Sequence, residues 1–133
     1  MIVCKRCWNL DCECISRYGV EIDDSIVDII VTLNKKGYRT NYCCGGHGRA
    51  LDELYINFNK WHCPEIIVSD IGKFWKYTKS DATIRVKLPK EFRSKSKEEI
   101  EEFLVERRKE LKAWADRLPA SKNPYPLFPK VLK

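Results

Sequence analysis

Two stretches of the chain carry side chains with chemistry. The first is residues 4–14, CKRCWNLDCEC, in which Cys4 and Cys7 form a C-x2-C pair and Cys12 and Cys14 a C-x-C pair. A C-x2-C turn converges two thiolates while its own amides stabilise the sulfurs. Four thiolates this close in sequence are enough for one tetrahedral zinc site. The second stretch is residues 33–49, LNKKGYRTNYCCGGHGR. It sets Cys43, Cys44 and His47 among three glycines, with Cys44 and His47 spaced as C-x2-H. Glycine here suits a turn that needs positive φ or a close backbone approach.

These residues divide among sites in two ways. Cys4, Cys7, Cys12 and Cys14 can close a structural zinc site alone, which leaves Cys44 and His47 for another role, with His62 or Cys63 as further ligands. Alternatively Cys4 and Cys7 share one metal with Cys44 and His47 as two separated knuckles. Zinc is the expected cofactor. An iron–sulfur cluster ranks below it, because the spacing matches neither ferredoxin pattern. The bland reading is a set of small buried cysteines. The glycine stretch also has a catalytic reading, in which His47 activates a thiolate at Cys43 or Cys44. A third reading makes the glycine amides, with Arg49, an anion-binding nest.

Composition bounds the rest. At 133 residues the chain is expected to form a single domain. Its parts are a cysteine-rich segment (1–20), an α+β core (22–118) and a proline-rich tail (119–133). No apolar run approaches the ~20 residues of a membrane helix. The N-terminus MIVCKRC lacks the pattern of a secretory signal. The expected compartment is the cytoplasm, where seven cysteines suggest metal before disulfides. Residues 1–60 are electrically balanced, so the net charge of +6 lies in residues 61–133. That permits a nucleic-acid or acidic-protein partner.

The elements that must position these residues follow from periodicity. Ile26, Ile29, Ile30 and Leu33 repeat as one helix face, with Asp24 or Ser25 as cap, Ser25 and Asp28 as a weak capping box, and Gly37 as terminator. Tyr38, Thr40 and Tyr42 alternate as a strand, and Leu54, Ile56 and Phe58 as a second. These two strands are expected to form a hairpin with CCGGHG at its tip. Residues 66–77 are read as a short helix or a strand plus helix, and 83–88 as a third strand. Ser96 and Glu99 open a long helix over 96–118 whose charges read as a solvated face. The tail is expected to lie extended and to dock through Tyr125, Leu127 and Phe128. The predicted fold is therefore α+β: a small antiparallel sheet of three or more strands covered by two main helices, with an N-terminal zinc-knuckle-like segment.

Leu33, Asn34, Lys36, Gly37, Tyr38, Thr40, Cys43, Cys44, Gly46 and His47, followed by the strand Tyr55–Phe58, compose L-N-x-K-G-Y-x-T-x-x-C-C-x-G-H and Y-I-x-F. This resembles a motif of small uncharacterised proteins of Firmicutes and their phages, over roughly residues 22–88. The G-Y-x-T loop is also faintly similar to that of the third-step methyltransferases of wybutosine synthesis. Those carry SCSGR where this chain has CCGGH, so methyl transfer is not carried over. The resemblance implies a phage or mobile-element type of protein. The function expected is a zinc-binding module acting on nucleic acid or a host protein. The alternative is a small enzyme using Cys44 and His47 as metal ligands or as a thiol–imidazole pair.

Overall fold

A computed structural model describes residues 1–13, 15–46 and 54–127. Cys14, His47, Arg49 and the tail from residue 128 lie outside the described residues. The fold is α+β. Strands β1 (Ile2–Cys4) and β2 (Gly19–Glu21) form an antiparallel ribbon, joined through a single helical turn, α1 (Ile15–Tyr18). A four-stranded antiparallel sheet combines β3 (Thr40–Gly45), β4 (Leu54–Phe58), β5 (Trp75–Thr78) and β6 (Thr83–Val86) in the order β3-β4-β6-β5. Helices α2 (Val27–Lys35) and α3 (Lys97–Arg117) complete it.

Period-two alternation decides which sheet face is dry. Leu54, Ile56 and Phe58 of β4, Ile84 and Val86 of β6 and Trp75 of β5 are buried, and share one core with Ile29, Ile30 and Leu33 of α2 and Leu104, Leu111 and Trp114 of α3. Burying each of these large side chains stabilises the fold by roughly 1.5–3 kcal/mol. The register sets Cys44, Tyr55, Arg85 and Lys76 in one cross-strand row and Tyr42, Asn57, Thr83 and Thr78 in another, both on the opposite face. Val3 and Trp8 reach from the N-terminal segment into the main core, so the ribbon is packed onto the sheet and helices.

Local expectations needed correction in four places. No side chain caps α2: a 3-10 turn at Asp24–Ile26 leads into it, and the Ser25–Asp28 box does not form. The carboxylate of Asp23 is instead taken by the Gly45 amide at 2.8 Å. The first strand of the hairpin runs through Cys43 and Cys44 to Gly45, so both cysteines belong to the strand and not to its tip. Residues 66–77, expected as a short helix or a strand plus helix, form a 3-10 turn at Val68–Asp70 and then β5, which its pairing with β6 decides. Residues 15–21, for which periodicity gives no element, hold α1 and β2, both too short to show a period. The Ser96–Glu99 capping box does form.

The α2–β3 turn is fixed by polar contacts. Gly37 takes φ +94° at the end of α2, a conformation that suits glycine. Buried Asn34 donates to Ile30 O at 2.8 Å and Thr40 Oγ1 at 2.9 Å, and its Oδ1 accepts the Thr40 amide at 3.2 Å. Lys36 does not serve its own helix end. Its ammonium donates to Ala115 O, Asp116 O and Leu118 O at 2.6–2.8 Å, closing the C-terminus of α3. The tail docks on this turn: Ser121 N donates to Lys36 O, Tyr125 N to Gly37 O, and Tyr38 Oη to Pro119 O. Replacing Asn34 with leucine strands the buried Thr40 amide, so Asn34→Leu should destabilise the protein by about 2 kcal/mol in urea unfolding. A variant as stable as wild type would refute this role.

Candidate metal centre

The sulfur atoms of Cys4, Cys7 and Cys12 all lie within 4.8 Å of one another, and all three residues are buried. Cys4 ends β1, Cys7 sits in the turn that follows, and Cys12 precedes α1, with its carbonyl accepting the Ile15 amide at 3.2 Å. The turn is closed twice: Trp8 N donates to Cys4 O at 2.7 Å, and Cys4 N donates to Asn9 O at 3.1 Å. Trp8 takes φ 59°, a left-handed conformation that glycine would adopt more easily. Its indole is buried in the main core, which anchors the strained turn.

Left to itself, this turn keeps the Cys4 thiol protonated above its ordinary range. Burial pushes the Cys4 thiol up, while backbone amides of Cys7 and Arg6 donate to its sulfur and pull it down. The Cys4 thiol in turn donates to the sulfurs of Cys12 and Cys7, which holds its proton and raises it further. A cation at the centre reverses the balance by replacing the protons and repaying the buried negative charge. Thiolates about 2.3 Å from a tetrahedral zinc stand roughly 3.8 Å apart. The observed cluster therefore needs a contraction of no more than about 1 Å to hold such an ion. Cys4, Cys7 and Cys12 could thus hold a metal ion. Cys14, the fourth ligand of the N-terminal arrangement, lies outside the described residues.

The second stretch behaves differently. Among the described residues, Cys44 does not join the thiol group. It stands in β3 opposite Tyr55. Its partners His47 and Arg49 lie outside the described residues. Cys43 points the other way and packs against the main core. Burial, with the nearby Asp23 carboxylate and Cys44, pushes its thiol up to about 11. A nucleophile needs the opposite shift, so Cys43 is unsuited to the thiol–imidazole role. Among the described residues, His62 and Cys63 do not form a second cluster either. His62 Nδ1 lies 2.8 Å from Asn123 O and its ring stacks edge-on with Tyr125, while Cys63 Sγ lies 3.9 Å from the Tyr77 hydroxyl.

The glycines serve packing. A Cβ on Gly45 would collide with Ser25 Oγ, and one on Gly46, at φ +80°, would fall 2.8 Å from Leu104 Cδ1. Arg108 clamps the same backbone from α3, donating from Nε to Gly45 O at 2.9 Å and from Nη2 to Gly46 O at 3.3 Å. Sequence spacing hides Arg108 and Asp23 because their partners are distant along the chain. Trp8 was hidden because an αL position normally signals itself by glycine.

The chain matches no protein-family model, no curated protein and no solved structure. Its function must therefore be read from its own chemistry. No helix among the described residues is long and apolar enough to cross a membrane.

Folding holds the proton on Cys43. The stability this contributes is complete below the ordinary thiol range of ~8.5 and is lost as pH rises toward about 11. In the native protein, iodoacetamide at pH 8.5 should therefore modify Cys43 far more slowly than a model thiol, read by peptide mass mapping. Rapid native-state alkylation at that pH would contradict the assignment.

Proposed function

We propose that this chain is a small zinc-stapled binding module, of phage or mobile-element type, that acts on nucleic acid in a reducing compartment such as the cytoplasm. The observation that carries the reading is the identity of the two residues between the first pair of cysteines. Lys5 and Arg6 are the x2 of the C-x2-C turn, so the loop that gathers thiolates also presents two cations. Arg39 lies beside them, its guanidinium donating to Lys5 O at 3.3 Å and centred 4.5 Å above the Tyr125 ring. Arg6 lies 4.9 Å above Tyr18. Together they line a basic, aromatic cleft of about 280 Å³.

Zinc is the ion we assign, because a cluster of buried thiolates on a tight turn suits a closed tetrahedral site without redox chemistry. Cys14 is the fourth ligand in this reading, and Cys44 and His47 are not ligands. The role of the metal is to fix the direction of Lys5 and Arg6, whose side chains would otherwise lose entropy on binding. Phosphate is the complementary group for such a surface.

Elemental analysis of protein purified without chelator should give about one zinc per chain. Cys7→Ser should lose the metal, while Cys44→Ser and His47→Ala should keep it. Affinity for labelled nucleic acid should fall steeply with salt, and should fall in the metal-free protein. Absence of bound metal, or binding indifferent to salt, would sink the proposal.

A further inference from the structure

Helices α2 and α3 both pack on one face of the four-stranded sheet. The other face is lined by the two cross-strand rows that contain Tyr42 and Tyr55. Tyr42 is 70% exposed, a large aromatic surface that folding leaves in water. Neither tyrosine belongs to the core. They are diagonal neighbours on adjacent strands, since Tyr42 pairs with Asn57 and Cys44 with Tyr55. That places their side chains roughly 7–8 Å apart. Lys76 and Arg85 stand opposite each other in the row that continues from Tyr55.

The same two tyrosines line a cleft of about 390 Å³ between β2 and the edge strand β3. Lys5 and Arg39 line it too, and Glu21 is the one carboxylate among its described lining residues. The tyrosine-bearing face and the basic knuckle are therefore continuous. Cations stand at both ends of the aromatic pair: Lys5 and Arg39 beyond β3, Arg85 and Lys76 beyond β4.

We infer that the open sheet face binds a single strand of nucleic acid, with bases stacked on Tyr42 and Tyr55 and phosphates running toward Lys5 and Arg39. This rests on the nucleic-acid reading given above and names its substrate class. Charge complementarity selects a polyanion, and the tyrosines select one with accessible ring faces. Stacking on aromatic side chains needs unpaired bases, because a duplex hides those faces inside its own stack. Among the described residues, neither main helix is suited to reading duplex DNA. The apolar face of α2 is buried, and α3 interleaves its cations with Glu98, Glu101, Glu102 and Glu106, several of them paired along the helix, so it presents no continuous basic face to a phosphate backbone. An acidic peptide would satisfy the cations but offers no ring to stack on exposed Tyr42.

The test uses the full, zinc-loaded chain with a short labelled oligothymidylate, alone or annealed to oligoadenylate, and reads fluorescence anisotropy. The single strand should bind at least about ten-fold more tightly than the duplex. Tyr42→Ala should weaken single-strand binding by about ten-fold, while Tyr42→Phe should retain it. The slope of affinity against salt should stay unchanged in Tyr42→Ala and flatten in Lys5→Gln, because only the second removes a phosphate contact. Tyr42 is exposed, so an unchanged thermal melt will show that its variants fold. Equal affinity for both forms, or a Tyr42→Ala variant that binds like wild type, would overturn the inference while leaving nucleic-acid binding intact. Displacement by polyglutamate as effectively as by unlabelled oligonucleotide would overturn it in favour of an acidic chain. No binding to either form would remove both readings together.

Discussion

Three sulfur atoms withdrawn from water within 4.8 Å of one another impose the constraint on which the N-terminal ribbon depends. Two three-residue strands and one helical turn cannot enclose a core of their own. They are held by two attachments of different kinds. One is the thiol cluster, which ties the start of the ribbon to the turn before α1. The other is apolar, with Val3 and Trp8 sunk into the main core. The strain at Trp8 connects them: its left-handed backbone bends the turn toward the sulfurs, and its buried indole makes that bend tolerable.

The glycine stretch follows another logic. Its residue types suggest chemistry, yet its described part is occupied by packing. Gly45 and Gly46 run too close to Ser25 and Leu104 for any side chain, and their carbonyls are bound by Arg108. The Gly45 amide is bound by Asp23. Lack of a Cβ served the approach of two helical elements here. Cys43, on the inner face of β3, is part of the same packing and is electrostatically quiet.

Much of this architecture was legible from residue order. The helices over Val27–Lys35 and Lys97–Arg117 carry strong apolar periodicity, and the hairpin of β3 and β4 carries clear alternation. Cys4, Cys7 and Cys12 were legible as a group because metal-ligating thiols cluster in sequence. What escaped was set by tertiary contact. β1 and β2 are three residues each, below any period. The charges of α3 read as a solvated face, and Lys109–Glu106 and Lys112–Asp116 fit that. Arg107 and Arg108 do not. Arg107 lies 4.5 Å above Phe74 and 4.6 Å above Phe103, while Arg108 reaches Gly45. A guanidinium gives no sign in sequence of whether its plane will meet water, a ring or a carbonyl.

The turn at Lys36 and Gly37 also fixes the order in which the molecule can be completed. Its ammonium, one carbonyl and one hydroxyl wait for Ala115, Asp116, Leu118, Pro119 and Ser121, about eighty residues downstream. A ribosome adds these at ~5–20 residues per second, so the turn stands unfinished for seconds after it emerges. During that interval α2 and the β3–β4 hairpin lack the helix that covers them. The cleft wall at Arg39 lacks Tyr125. The surface that the knuckle shares with Arg39 therefore takes its final form only when α3 and Tyr125 close over the turn.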